Sequence, residues 1–324
     1  MINIGIIGFG NISLNVHLPI LLSRNDVKIV WVVDKEKKFQ SLLKKKKIDF
    51  YSNIHDAIYS KIPEIALISV PYGERGEIFN AIKGKVKGIY CEKPLALSTN
   101  EHLSYTNGLD EFSFTIGYQR RSLGNVQTVK SIIESNIFGT LQKIEVEFGS
   151  INFNFGGYRS QKLLSGGGIF LEAGSHWVDT ALYVTSAKEI SEFQVNADYE
   201  DGLDINSHGK FKIKNSTNNT ILFNFKFSCI ENTKNYIKFI FPNNCLSLNL
   251  FEDNSEIIIT SNTNFQKFFV HNFLGNNYPN DSLSQSTVYW NEFLKSFKEK
   301  KKTYTNQDTF LLTTKIIELF YANN

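Results

Sequence analysis

Short, nearly unbroken apolar runs alternate with amphipathic stretches over residues 1–118. Ile2 to Gly8 reads as a buried strand. The segment that follows, up to about Ser23, reads as a helix with Leu14, Leu18, Leu21 and Leu22 on one face, and Pro19 inside it is expected to kink it. Val27 to Val33 is a second apolar strand, ending at Asp34. Helical patterns follow over Phe39–Lys47 and Ile54–Tyr59, then a strand over Glu64–Val70 that Pro71 stops. Gly76–Gly84 reads as helix and Gly88–Cys91 as strand. Ser98 and Glu101 have the spacing of a capping box that opens another helix, and Ser113–Gly117 is the last strand of the series. Continuous apolar strands suit a parallel sheet covered on both faces. Their alternation with helices predicts a doubly wound, Rossmann-type α/β domain over residues 1–118.

The pattern changes after Tyr118. Val126–Asn136 is helical, and Gln142–Phe148 alternates as a half-buried strand does. Gly166, Gly167 and Gly168 precede an apolar, helical stretch that runs to Val184. From Ile190 to His271 strands alternate with polar turns, Ile221–Phe227 and Tyr236–Phe241 among them. Two helices, near Ser282–Lys298 and Gln307–Tyr321, close the chain. The expectation for residues 119–324 is a C-terminal α+β domain with a mostly antiparallel sheet.

Composition narrows the function. A chain of 324 residues suits two domains. Its 35 basic and 32 acidic residues nearly cancel, which gives no electrostatic case for nucleic acid. Lys44–Lys47 and the run from Lys298 to Lys302 read as solvated helix ends. Cys91, Cys229 and Cys245 make no disulfide framework and no zinc spacing. No secretory pattern opens the chain and no apolar run is long enough to span a bilayer, so a cytoplasmic protein without a membrane partner or a metal is expected.

Three motifs carry chemistry. Gly8-x-Gly10 lies between a strand and a helix, where glycines allow a tight turn and a close approach of backbone N–H groups to a pyrophosphate. Ser13 replaces the third glycine, but Asp34 ends the second strand, where a carboxylate can bond the ribose hydroxyls of NAD. NAD is therefore preferred, with Lys35, Lys37 and Lys38 as an alternative seat for the extra phosphate of NADP. Glu92-Lys93-Pro94 follows a parallel strand at its C-terminal end, where ligands of such sheets bind, and a lysine there can hold a substrate hydroxyl and lower its pKa. In the glycine–histidine block, α-helical spacing puts Glu172, His176 and Asp179 on one face. That is a workable general acid/base arrangement, and equally that of a structural histidine held by a neighbouring glutamate.

At these motifs the chain resembles the glucose–fructose oxidoreductase/inositol dehydrogenase/rhizopine catabolism (Gfo/Idh/MocA) family. The likeness runs in order through Gly8-Phe9-Gly10-Asn11-Ile12, His17-Leu18-Pro19, Asp34, Val70-Pro71, Tyr90-Cys91-Glu92-Lys93-Pro94, Gly117-Tyr118-Gln119-Arg120-Arg121, Tyr158-Arg159, the glycine–histidine block, and the helices with Tyr289-Trp290 and Ile316-Ile317-Glu318. The resemblance implies cofactor contacts from Gly8, Phe9, Gly10, Asn11, Ile12, Asp34, Pro71, Glu92, Lys93 and Gln119. It implies catalysis by Lys93, His176 and Glu172, and substrate contacts from Lys93, Arg121, Tyr158, Arg159 and His176. Glu172 stands where the family commonly has aspartate, and Arg75 where many members have histidine. The implied activity is hydride transfer between a nicotinamide and a carbinol or keto carbon of a sugar, cyclitol or nucleotide-sugar, in a homodimer or homotetramer, with the open sheet of residues 119–324 serving substrate binding and oligomerisation. Two other readings share the fold: an NAD-dependent glycosidase or lyase that oxidises its sugar transiently, and a cofactor- or sugar-sensing regulator.

Overall fold

The computed structural model describes residues 1–250, 256–261, 267–270, 282–306 and 309–322. Two compact units emerge: the first comprises Met1–Ala96, Asn100–Gly117 and Trp290–Asn306, and the second Leu97–Thr99, Tyr118–Tyr289 and Gln307–Asn324.

The first unit is built on six strands: β1 (Ile2–Ile7), β2 (Val27–Val33), β3 (Asp49–Tyr51), β4 (Ile65–Ile68), β5 (Gly88–Cys91) and β6 (Phe114–Ile116). They lie in the order β3-β2-β1-β4-β5-β6, and every neighbouring pair is parallel. The apolar runs are buried as a doubly covered sheet requires: Ile4, Ile6, Val32 and all of Ile65–Ile68 are inaccessible. The chain winds outward from β1 in both directions, so the switch point lies between β1 and β4, the place where such sheets bind ligands. β3 is a short strand that the sequence pattern did not announce. Its three residues are exposed or half-buried and carry too little apolar periodicity to stand out.

Pro19 does not break the first helix. The helix widens into a π turn over Ser13–His17 just before it, then continues over Leu18–Leu22. Proline has no N–H to give and its ring crowds the carbonyl one turn back, and the widened turn accommodates both.

The second unit holds an eight-stranded sheet of β7 (Lys143–Gly149), β8 (Ala187–Glu200), β9 (Leu203–Asn215), β10 (Thr220–Ser228), β11 (Tyr236–Ile240), β12 (Asn244–Leu248), β13 (Ile257–Ser261) and β14 (Lys267–Val270). Their order is β14-β13-β12-β11-β7-β10-β9-β8, antiparallel throughout except for β7 beside β10. Alternation decides which face is covered. Ile221, Phe223, Phe225 and Phe227 of β10 are buried, whereas Leu222, Asn224 and Lys226 are half-exposed. Each buried Phe contributes about 1.5–3 kcal/mol. Phe170, at the start of the glycine–histidine helix, stacks on Phe320 at 3.8 Å and meets Phe225 and Phe227, which seats that helix on the sheet. Parts of the stretch read as strands up to His271, His271 itself, and Gln307 at the start of the last helix lie outside the described residues.

The first of the two C-terminal helices, Ser282–Glu299, belongs to the second unit up to Tyr289 and to the first from Trp290 onward. Residues 303–306 then cover the edge of the parallel sheet: Thr115 of β6 donates to the Thr305 carbonyl at 2.6 Å, and Asn306 to the Phe114 carbonyl at 2.7 Å. The sequence pattern groups this segment with residues 119–324.

Candidate functional site

In the first unit the candidate residues gather at the C-terminal ends of the strands. Gly8 leaves β1 with φ +89°, and a Cβ there would stand 2.8 Å from the Ser69 backbone, so the turn needs glycine on both counts. Its N–H bonds the Val33 carbonyl at 2.8 Å, while the next N–H, of Phe9, bonds Asp34 Oδ2 at 2.5 Å. Asp34 Oδ1 accepts the N–H of Glu36 at 2.7 Å. Each carboxylate oxygen keeps further acceptor capacity for hydroxyls. Ser13, the departure from the glycine pattern, donates to the Gly8 carbonyl at 2.7 Å and so fastens the turn instead of opening it.

Asn11 and Ile12 begin the helix, whose first-turn N–H groups have no partner within the helix. A Cβ at Gly10 would meet nothing within 4 Å among the described residues, so approach to this helix start is open. An open helix N-terminus beside a strand-end carboxylate fits a dinucleotide. Of the lysines that could neutralise a further phosphate, Lys35 pairs with Glu74 at 2.7 Å and Lys38 with Glu36 at 2.8 Å.

Pro71 precedes the turn Tyr72–Glu74. Arg75, buried, closes that turn by donating twice to the Val70 carbonyl at 3.2 Å. Glu92 and Lys93 leave β5, followed by a cis peptide to Pro94. Glu92 is bonded by His17 Nε2 at 3.0 Å.

In the second unit Gln119 opens the short turn Gln119–Ser122. Its Oε1 is buried and meets no donor among the described residues, as a ligand-facing amide would. Arg121, two residues on, is fully buried, and its guanidinium grips Asp179 with two bonds of 2.8 and 2.5 Å and bonds Thr309 at 3.0 Å. The rings of Phe310 and Tyr183 lie 4.0 and 5.1 Å from it. Burial pushes the Asp179 carboxyl up, against the pull of Arg121. The geometry makes Arg121 a brace inside the unit, with no exposed surface to offer a substrate.

The glycine–histidine block differs from a plain α-helix. A π turn spans Phe170–Gly174 before the α-helix Ser175–Val184. The extra residue in that turn alters the α-helical register that put Glu172, His176 and Asp179 on one face. Glu172 meets Arg159 at 3.3 Å, with Arg159 beside the Tyr158 ring at 5.7 Å, while Asp179 meets Arg121. His176, largely buried, is edge-on to Tyr118 at 5.6 Å. The structure thus brings Tyr158, Arg159 and Glu172 together and sets Asp179 in a separate pair.

Asp204 was not legible from the sequence. It is fully buried on β9 and accepts the N–H groups of Gly168 at 2.6 Å and Phe170 at 2.7 Å and the hydroxyl of Tyr321 at 2.8 Å. Burial pushes its carboxyl up, and those donors pull it back. A Cβ at Gly168 would stand 2.1 Å from the Asp204 carbonyl oxygen, which explains a glycine there. A carboxylate at this helix start is favoured by the helix dipole. The glycine triplet was the only local signal of so close an approach.

Two family models match the chain: an oxidoreductase family with an NAD-binding Rossmann fold over residues 2–109, and the GFO/IDH/MocA C-terminal domain over residues 126–234. Among curated proteins, glucose-6-phosphate 3-dehydrogenase of Bacillus subtilis (strain 168) is 28% identical over 151 residues, a match that spans 46% of this chain and only 42% of that protein's length. Among solved structures, an NADPH-dependent oxidoreductase described from Desulfitobacterium hafniense superposes with TM-score 0.79 at 14% identity, covering 99% of this chain and 95% of that one. An aldose-aldose oxidoreductase from Caulobacter crescentus gives 0.79 at 13%, covering 99% and 96%. A 3-ketoreductase from Actinomadura kijaniata, solved with NADP and TDP-benzene, gives 0.78 at 13%, covering 99% and 97%. At such identities the structural likeness is one of fold.

Proposed function

This chain belongs to the Gfo/Idh/MocA family of NAD-binding oxidoreductases, and from that premise we propose that it moves a hydride between the nicotinamide and a carbinol or keto carbon of a sugar, cyclitol or nucleotide-sugar. The observation that carries the reading is the glycine turn after β1, bonded through the Phe9 N–H to Asp34 at 2.5 Å, with open space beside Gly10. Gly8, Phe9, Gly10, Asn11 and Ile12 hold the pyrophosphate, Asp34 the ribose, and Pro71, Glu92 and Gln119 the remainder of the cofactor. NAD is favoured over NADP, because Asp34 repels an added phosphate and Lys35 and Lys38 are already paired with Glu74 and Glu36.

When bound, the cofactor supplies the hydride acceptor or donor at C4 of its nicotinamide. Lys93 holds the reacting hydroxyl and, by its charge, stabilises the forming alkoxide. His176 takes the hydroxyl proton in oxidation and returns it in reduction. Glu172, paired with Arg159, orients neighbouring hydroxyls together with Tyr158. Arg121 contributes from behind, through Asp179 on the His176 helix.

The test has two stages. The purified chain is titrated with NADH and NADPH, then NADH formation is followed across a panel of hexoses and hexose phosphates that begins with glucose 6-phosphate, the sugar in the name of the Bacillus subtilis relative. Tighter NADH binding and turnover of part of the panel are expected, with Lys93→Ala slowing kcat by about a hundredfold or more. Binding of neither dinucleotide, or full turnover by Lys93→Ala, overturns the proposal.

A further inference from the structure

The buried histidine of the first helix has its proton placed by a residue far along the chain. His17 is 1% exposed, and its ring stands edge-on to Tyr90 at 5.3 Å and to Trp290 at 5.8 Å, while Trp290 stacks on Tyr90 at 4.3 Å. The indole N–H of Trp290 meets His17 Nδ1 at 2.9 Å, across 273 positions of sequence. An indole nitrogen only donates, so Nδ1 is the acceptor and the imidazole proton sits on Nε2. Nε2 is 3.0 Å from Glu92 Oε1 and donates to that carboxylate. The other neutral tautomer would set one N–H against another at Trp290 and turn a lone pair toward the Glu92 carboxylate. The chain of donors therefore runs one way, Trp290 to His17 to Glu92.

Glu92 stands at the end of β5, with its N–H on the Ile68 carbonyl at 2.8 Å, and Lys93 is the next residue. We propose that Trp290 and His17 are positioning residues that fix the Glu92 carboxylate, and the Lys93 segment joined to it, for nicotinamide binding, an inference that rests on the function proposed above. It gives a reason for the segment from Trp290 to belong to the first unit: the helix brings the indole donor that, together with Glu92, selects the His17 tautomer.

The test uses the full chain with 15N-labelled histidine, whose NMR tautomer signature does not depend on turnover, together with NADH affinity by fluorescence. The unmutated chain should show His17 as the Nε2–H tautomer. Trp290→Phe keeps an aromatic stack on Tyr90 but loses the donor, so the Nε2–H preference should rest on Glu92 alone and weaken, and NADH affinity fall about three- to tenfold, the worth of one hydrogen bond. His17→Gln can still accept from the indole and donate to Glu92 and should bind NADH within about twofold of the unmutated chain, whereas His17→Leu should weaken as Trp290→Phe does. An Nδ1–H tautomer in the unmutated chain, or a folded Trp290→Phe with unchanged NADH affinity, overturns this inference alone. Failure of the unmutated chain to bind either NADH or NADPH overturns the function and the inference together.

Discussion

Arg121 shows how a residue's surroundings, and not its place in a motif, decide its work. The family resemblance implies a substrate contact for it; in the structure its guanidinium is buried against Asp179, Thr309 and two aromatic rings. Its grip ties the turn that carries Gln119 to the helix that carries His176. Asp179→Ala would leave a buried guanidinium without its counter-charge, and the expected loss is about 3–5 kcal/mol, read from the urea midpoint. A loss below about 1 kcal/mol would mean that the pair is dispensable and the brace an accident of packing. The strand-end positions of Gly8, Asp34 and Lys93 were readable in sequence because an unbroken apolar run marks where each buried strand stops. Asp204 was not, because its partners Gly168 and Phe170 lie 36 and 34 positions away and nothing local to Asp204 points to them.

At the scale of elements, the turn before the His176 helix is where an ideal period failed. Spacing of four and seven placed Glu172, His176 and Asp179 in one row. The π turn of Phe170–Gly174 and the carboxylate of Asp204 at the helix start set another register, in which Glu172 goes to Arg159 and Asp179 to Arg121. The hydrophobic pattern could announce a helix but not a widened turn, because both bury the same apolar residues. Two glycine substitutions separate packing from approach. Gly168→Ala puts a methyl group 2.1 Å from backbone that cannot yield, so a loss of about 1–3 kcal/mol or more is expected in thermal unfolding. Gly10→Ala meets open space and should leave stability within about 0.5 kcal/mol, yet weaken dinucleotide binding where the added methyl group crowds the pyrophosphate. Equal melting losses for the two would contradict the geometry of both turns.

Across the whole molecule, both sheets were legible, since unbroken apolar strands and alternating strands imply different layers. The return of residues 290–306 to the first unit was not, because a pattern of burial does not say which core an apolar face joins. His102 extends this argument to the pH at which the first unit holds together. It is almost wholly buried in the helix Thr99–Thr106, edge-on to Phe114, and burial pushes its pKa down from 6.5 to about 4. Between those values the unfolded chain takes up a proton that the folded chain refuses. Stability is therefore flat in this group above pH 6.5 and is lost as pH falls from 6.5 through about 4, by on the order of 3 kcal/mol at the bottom of that window. Carboxylates begin to titrate over the same range, so the contribution of His102 is the difference between the unmutated chain and His102→Leu. Urea midpoints near neutral pH and near the lower end of the window should converge for the variant relative to the unmutated chain. Parallel declines in the two proteins would show that His102 is protonated within the fold, and that some other group makes the first unit sensitive to acid.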